Sequence, residues 1–391
     1  MNIDTTIVTA GRDPESNHGV VNPPVYHVST VLAPTLAARA ANYAARQHRG
    51  RGPLYGRRGN PTAVAFERAV AAVEGGYDAL SFPSGLAAVA STLMSYLSAG
   101  DHLLINDAVY GPTRNLCQGI LKRHGIETTF YPPLIGAGIA ELARPETRVV
   151  YVESPGSLSF EVQDVPAIAE AAHARGAVVI MDNTWASPLY FRPFDHGVDV
   201  SIQAATKYIV GHSDAMLGAV TTTEAAWPTL YDGAHELGQC AGPDDLYLGQ
   251  RGLRTLAVRL RRHHETGLAL ADWLRGQAGI ARVLHPGLPG DPGHSLWKRD
   301  YLGASGLFGV VLEPCSGTAL AALVDGLELF GIGASWGGYE SLVLPCDIAA
   351  LRSATTWDAQ GPVLRLHAGL EDADDLKADL AAGLARLARA D

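Results

Sequence analysis

From residue 62 onward, stretches with apolar residues at helical spacing (62–74, 85–97, 113–124 and 165–175) alternate with short runs of branched apolar residues (102–106, 148–153, 177–182 and 198–203). Runs that short cannot cover themselves. The helical stretches between them are too long for hairpin turns and long enough for crossover helices. The pattern therefore predicts a buried, mostly parallel sheet with helices on both faces. Asn60 and Thr62 are both suited to cap the first of these helices, and Pro61 suits a first-turn position.

On either side of this block the pattern changes. Residues 1–59 are rich in Pro, Gly, Asn and Arg, with only one short Ala-rich stretch, 36–45, that reads as helix. They form an arm, and an arm that long needs something to pack against, for which a partner subunit is one candidate. Beyond about residue 249 the sequence reads as one long amphipathic helix (253–274), a strand at 306–312 and a closing helix at 372–388, which suits a smaller α+β domain. A chain of 391 residues accommodates two cores. The expected division is an arm, 1–59, an α/β domain, 60–250, and a C-terminal domain, 251–391.

Charge narrows the function. With 40 acidic against 30 basic residues the net charge is −10, which offers no global field for a phosphate backbone, so nucleic-acid binding is not expected. The arginine runs at 46–58 and 251–262 read chiefly as solvated faces. The four cysteines are far apart and form no C-x-x-C pair, so they read as reduced thiols and not as a metal or redox site. The start of the chain carries no basic and apolar leader, and no apolar run is long enough to span a bilayer. A cytoplasmic protein, with neither membrane nor metal, is the expectation.

In an open parallel sheet, ligands bind at the carboxyl ends of the strands, and three features fall at such places. SFPSGLAAVAS (81–91) puts Ser84, Gly85 and Leu86 at the start of a helix, where free amides and the helix dipole attract an anion such as phosphate. VVIMDNTWASP (178–188) ends a buried strand on Asp182. SIQAATKYIVGHSD (201–214) sets Lys207 among small residues that let a planar ligand approach, where desolvation would depress its pKa. Singly, each also fits a plain helix cap, a turn aspartate or a surface lysine. Together they match pyridoxal phosphate, which needs an anion site, a carboxylate for its pyridine nitrogen and an amine for its aldehyde. Tyr110, in NDAVYGPT (106–113), is placed to stack on such a ring.

Several longer motifs agree in order and spacing with one family. LYGRRGNPT (54–62), FPSGLAAV (82–89), YVESPGSLSFEVQDVPAIA (151–169), DNTWASPL (182–189), SIQAATKYIVGHSDAM (201–216), RGLRTLAVRLRRHHE (251–265), SWGGYESL (335–342) and LRLHAGLEDADDL (364–376) span nearly the whole chain. The sequence resembles the cysteine/methionine-metabolism branch of fold-type-I pyridoxal-phosphate enzymes, and within it the β-eliminating subgroup that acts on cystathionine. The resemblance implies an aminotransferase-like fold with a large, mostly parallel sheet domain and a smaller C-terminal one. It implies that Lys207 carries the cofactor, Asp182 pairs with the pyridine nitrogen and Tyr110 stacks. It assigns the phosphate to the Gly85 and Leu86 amides and the Thr206 hydroxyl, with Tyr55 and Arg57 reaching the neighbouring subunit's site. Arg365 would clamp the substrate α-carboxylate, helped by Ser335 and Trp336, Tyr55 would also touch the substrate, and Arg58 would face its distal end. A dimer would be the smallest active unit, and a tetramer is implied.

One position departs from the wider family, which often has Ser-x-Thr-Lys where this chain has Ala204. Relatives that react at the γ-carbon resemble SLGGxES and ESPxNP, whereas here Trp336 stands in SWGGYES and Gly156-Ser157 in ESPGSLS. Both differences favour β-elimination. γ-Lyases of cystathionine or methionine and general cysteine-S-conjugate lyases are the nearer alternatives, and a non-catalytic cofactor-binding regulator is the remote one.

Overall fold

A computed structural model describes residues 1–390. The apolar runs become a seven-stranded sheet of β1 (Asp78–Phe82), β2 (His102–Asn106), β3 (Glu127–Tyr131), β4 (Thr147–Glu153), β5 (Val178–Asp182), β6 (Val200–Gln203) and β7 (Gly218–Thr222). The spatial order is β1-β7-β6-β5-β4-β2-β3. β2 to β6 run parallel, and only β7 opposes its neighbours. Alternate side chains go to opposite faces. Leu103, Ile105, Val149 and Ile180 join one apolar cluster, with Val89 and Leu93. Leu104, Val150, Val179 and Met181 join the other, with Ile168 and Ala172. Cover on both faces explains why the strands read as continuous apolar runs.

The parallel strands all end at one edge. Glu153 and Asp182 stand opposite each other there, the last residues of β4 and β5. Asn106 and Gln203 end β2 and β6 at the same edge. A second sheet of β8 (Ile280–Leu284), β9 (Leu307–Leu312), β10 (Gly331–Ile332), β11 (Leu342–Cys346) and β12 (Val363–His367) has the order β10-β11-β12-β9-β8. β12 carries Arg365 and, two residues on, His367.

The large parallel sheet and the smaller C-terminal sheet agree with the expected fold class. Individual elements differ. The helix expected over 253–274 starts three residues later, as Leu256–Leu274, and a further helix, Pro243–Leu253, which was not expected, ends just before it. Between the two helices Arg259 donates to Gly252 O, and a Cβ on Gly252 would come within 2.2 Å of Ile209 O, so the chain passes that loop too closely for any side chain at 252. The helix expected over 113–124 starts at Gly111 and passes into a wider π-type turn, Cys117–Leu121. Of the two candidate caps, Asn60 accepts from Ala63 N and begins Pro61–Glu74. The arm holds an unexpected helix, Ile3–Thr9, whose Ile7 is buried, and Arg254 donates to Ile7 O and Ala10 O. The start of the arm therefore packs on its own chain. Among the described residues no helix is long and apolar enough to cross a membrane, and no group of His, Cys, Asp and Glu could hold a metal ion.

One buried contact ties the C-terminal segment to the sheet edge. Asp107, just after β2, accepts from the backbone N–H groups of Ser353, Ala354 and Thr355, from both hydroxyls and from Arg114. Burial alone would raise its pKa, but the bonds from Thr355 and Arg114 and from the Ser353 and Ala354 amides outweigh it and hold the carboxyl at about 2. Asp107→Asn is expected to cost about 3 kcal/mol, read as a shift in the urea midpoint at pH 7. Because the folded pKa is depressed, the stabilisation is present above the unfolded carboxyl's pKa near 4 and fades as pH falls towards 2. The difference between wild type and variant should therefore shrink with acid over that window.

Candidate active site

The loops leaving the parallel edge enclose a cavity of about 370 Å³ lined by Ser84, Gly85, Leu86, Tyr110, Glu153, Asp182, Thr206, Lys207, Trp336 and Arg365, among others. Lys207 is reached from β6 through Ala204-Ala205-Thr206. Its Nζ lies 2.8 Å from Ser335 Oγ and 5.3 Å from the Trp336 ring. Burial, then Arg365, push its pKa down to about 8, against the opposing pull of Asp182. About a tenth of an amine with that pKa is neutral at pH 7, several hundredfold more than of an unperturbed lysine, which favours its use as a nucleophile.

Asp182 ends β5. Thr184 donates to its Oδ1 from both N–H (3.0 Å) and hydroxyl (2.5 Å), and the same hydroxyl accepts from Ala204 N. This chain fixes the carboxylate relative to the Lys207 loop. Burial raises the carboxyl's pKa, while the Thr184 bonds and Lys207 oppose the rise. Asp182 forms no ion pair within bonding distance among the described residues, so a cationic ring nitrogen would complete it.

The helix Gly85–Tyr96 begins at the same cavity. Ser84 Oγ caps Ala87 N, and the Gly85 and Leu86 amides at the first turn are left to face the cavity. A Cβ on Gly85 would lie 2.6 Å from Ala204 Cβ, so the helix start is pressed against the Lys207 loop. The close contact also shows why a small residue stands at 204. Thr206, by contrast, donates both its hydroxyl and its N–H to Leu217 O, and its hydroxyl accepts from Leu217 N. To reach an anion it would have to exchange one of those bonds.

Tyr110 is half-exposed, and its N–H donates to Glu153 Oε2. Burial, Asp182 and Glu153 keep its phenol above the ordinary pKa, so it is a proton donor at neutral pH. Arg365 Nη2 donates to Ala334 O at 2.7 Å, holding the stretch before Ser335. Trp336 both lines the cavity and packs against the apolar clusters.

Three expected residues lie elsewhere in the chain. Arg57 and Arg58 line a separate small cavity with Arg51, Asn60 and His235. Arg57 donates to His235 O and lies over the half-exposed Tyr55 ring. None of the three lines the cavity that holds Lys207.

Two site residues went unread in the sequence. Glu153 lines the cavity beside Asp182, and burial, then Asp182, push its pKa far up. It ends the buried run of β4 as Asp182 ends that of β5, which is the signal that could have found it. His367 stands two residues beyond Arg365, on the same face of β12.

An anion cradle at a helix start, a fixed carboxylate and a desolvated lysine on one wall fit a planar phosphorylated aldehyde such as pyridoxal phosphate. The family model of Cys/Met metabolism PLP-dependent enzymes matches residues 4–385. The chain belongs to this family. It is 50% identical to a putative cystathionine beta-lyase of Rhizobium johnstonii, over 98% of this chain and 96% of that protein. It is 45% identical to cystathionine beta-lyase MetC of Escherichia coli, over 98% of each. The crystal structure of cystathionine gamma synthase from Xanthomonas oryzae pv. oryzae, in complex with aminoacrylate and cysteine, shares the fold with a TM-score of 0.90. That protein is 33% identical, and the match covers 100% of this chain and 99% of that one. Like its family, the chain is a pyridoxal-phosphate-dependent enzyme.

Proposed function

We propose that the chain is a cystathionine β-lyase, which splits cystathionine and water into homocysteine, pyruvate and ammonia. The observation that carries this reading is the desolvated Lys207, held by Ser335 beside Trp336 in a cavity that also presents Arg365, Asp182 and Tyr110. Pyridoxal phosphate, when bound, supplies an electron sink that acidifies the substrate Cα–H. Every other task falls to the chain. Lys207 holds the cofactor, the Gly85 and Leu86 amides take its phosphate, and Asp182 meets its ring nitrogen. Arg365 grips the α-carboxylate through the donors it does not spend on Ala334. Lys207 also removes the Cα proton, and the departing sulfur receives a proton from Lys207 or from Tyr110.

Two further parts of the reading concern assembly. Tyr55 and Arg57 serve the phosphate of a neighbouring subunit, Tyr55 also touches that subunit's substrate, and Arg58 faces the substrate's far end. This makes a dimer the smallest active unit and a tetramer of two dimers the full assembly. The working division remains an arm, 1–59, a cofactor domain, 60–250, and a C-terminal domain, 251–391, in a cytoplasmic enzyme.

Loaded protein incubated with cystathionine is expected to release pyruvate and homocysteine, identified by mass spectrometry. Release of 2-oxobutyrate and cysteine would make it a γ-lyase, and no keto acid from any thioether would favour a cofactor-binding regulator.

A further inference from the structure

The loop that carries Ser335 and Trp336 is fastened to β12 at two points. Arg365 Nη2 holds its start through the carbonyls of Gly333 (3.4 Å), Ala334 (2.7 Å) and Ser335 (3.3 Å). The second fastening is His367. Its Nε2 lies 3.1 Å from Gly337 N and 3.3 Å from Gly338 O. Gly337 N–H can only donate and Gly338 O can only accept, so Nε2 serves one of them; the shorter contact, to Gly337, makes Nε2 the accepting nitrogen and puts the proton on Nδ1, which is buried without a partner of its own.

That bond is made where the loop has no freedom to drift. Gly337 has φ +87°, which favours glycine. A Cβ there would lie 2.8 Å from Lys207 C and 2.9 Å from Lys207 Cα and Tyr208 N. The Gly337 backbone therefore rests directly on the backbone of the lysine. Ser335 Oγ and the Trp336 ring meet Lys207 at the other end of its side chain. The Tyr208 ring packs against Trp336 (5.4 Å between centroids), His263 (5.1 Å) and His367 (6.0 Å), which closes the stack.

We propose that His367 is a positioning residue: as the neutral Nδ1–H tautomer it accepts from Gly337 N–H and so pins the Ser335-Trp336 turn against Lys207. The inference rests on Lys207 being the lysine that holds the cofactor. The surroundings keep the ring neutral. Burial comes first, then His263; Arg365 and Lys207 also disfavour a second proton, and together these outweigh the opposing pull of the Gly338 carbonyl. His263 donates its own Nδ1–H to Ala368 O and is likewise held neutral, chiefly by burial. A charged His367 would carry a proton on Nε2, turn its donor towards Gly338 O and expel Gly337 N–H.

His367→Phe keeps ring bulk and removes the acceptor, while His367→Gln restores an acceptor at similar reach. The Phe variant is expected to lose about tenfold or more in kcat with KM for cystathionine changed less than about threefold, because Arg365 is untouched. The Gln variant should recover most of the loss. Two readings on protein without cofactor test the arrangement itself. Nitrogen NMR should report His367 as the Nδ1–H tautomer from pH 8 down to pH 5, and the Phe variant should shift Trp336 emission and the pH at which Lys207 captures pyridoxal phosphate. An Nε2–H tautomer, a charged ring at pH 7, or a Phe variant with unchanged kcat and unchanged lysine capture would overturn the proposal. A wild type that makes no product overturns the lyase reading instead, and the tautomer and the capture profile still decide for or against His367.

Discussion

Lys207→Ala is expected to lower turnover of cystathionine by at least about 10⁴-fold, while the folded protein still takes up pyridoxal phosphate weakly through the other groups of the cavity. The size follows from two roles meeting in one atom. In the proposed reading Lys207 Nζ is both the amine that would reach the aldehyde and the base that would take the Cα proton. Neither Ser335, its hydrogen-bond partner, nor Tyr110, whose phenol is held protonated, replaces an amine of pKa about 8 as a base. The same shift fixes the sign of a pH effect in protein without cofactor. The folded pKa lies below the value of about 10.4 for a free lysine, so folding suppresses a proton that the unfolded chain keeps. That penalty is fully present below pH 8 and is relieved as pH rises from 8 towards 10.4. Thermal melts should show wild-type stability gaining on the alanine variant across that window, with the variant the more stable of the two at pH 7. Turnover retained within tenfold would sink the reading of Lys207, whatever the melts show.

The parts of this site that could be read in the sequence are those that local pattern dictates. Asp182 ends a buried apolar run and Lys207 follows another after three small residues, so the strand-end rule finds them. Ser84-Gly85-Leu86 is found by its capping serine and glycine at the start of an apolar helical stretch. Ser335, Trp336 and Arg365 come from another part of the chain, and spacing alone gives no reason to bring them to Lys207. They could be named only because whole motifs resembled a family. His367 shows the limit of both routes: its role depends on one hydrogen bond across the second sheet to Gly337, which neither periodicity nor motif position reveals. The fold divides similarly. β2, β4, β5 and β6 are buried on both faces and announce themselves, with boundaries within two residues of those expected. β3 is half-covered and begins on an exposed glutamate, and β11 contains Pro345 and alternates in burial, so neither shows a clear apolar run. Gly252, near the end of Pro243–Leu253, packs directly on the Ile209 and Val210 carbonyls, a tertiary contact that no local pattern shows.

Asp182→Asn removes charge without removing shape, and should therefore separate chemistry from folding. The Oδ1 atom that accepts both Thr184 donors can remain an amide oxygen, so the Ala204–Thr184–Asp182 chain of hydrogen bonds survives. What is lost is a buried negative charge at the end of β5, in a cavity where burial already makes charge costly. A carboxylate in that place earns its ionisation by meeting a cation, and the cation it would meet is the protonated ring nitrogen of pyridoxal phosphate. An amide cannot hold that proton, and the ring's capacity to draw electrons from Cα falls with it. The variant is expected to fold, with a melting temperature equal to or above that of wild type in the absence of cofactor. Its kcat should fall by about 10³-fold, and its hold on the cofactor should weaken by roughly ten- to a hundredfold, as for loss of one charged hydrogen bond. Stopped-flow product release and equilibrium dialysis of pyridoxal phosphate measure the two losses independently. Normal kcat with weakened binding would reduce Asp182 to an anchor. Normal values of both would place the ring nitrogen elsewhere, and Glu153, its neighbour across the strand pair, would be the carboxylate to test next.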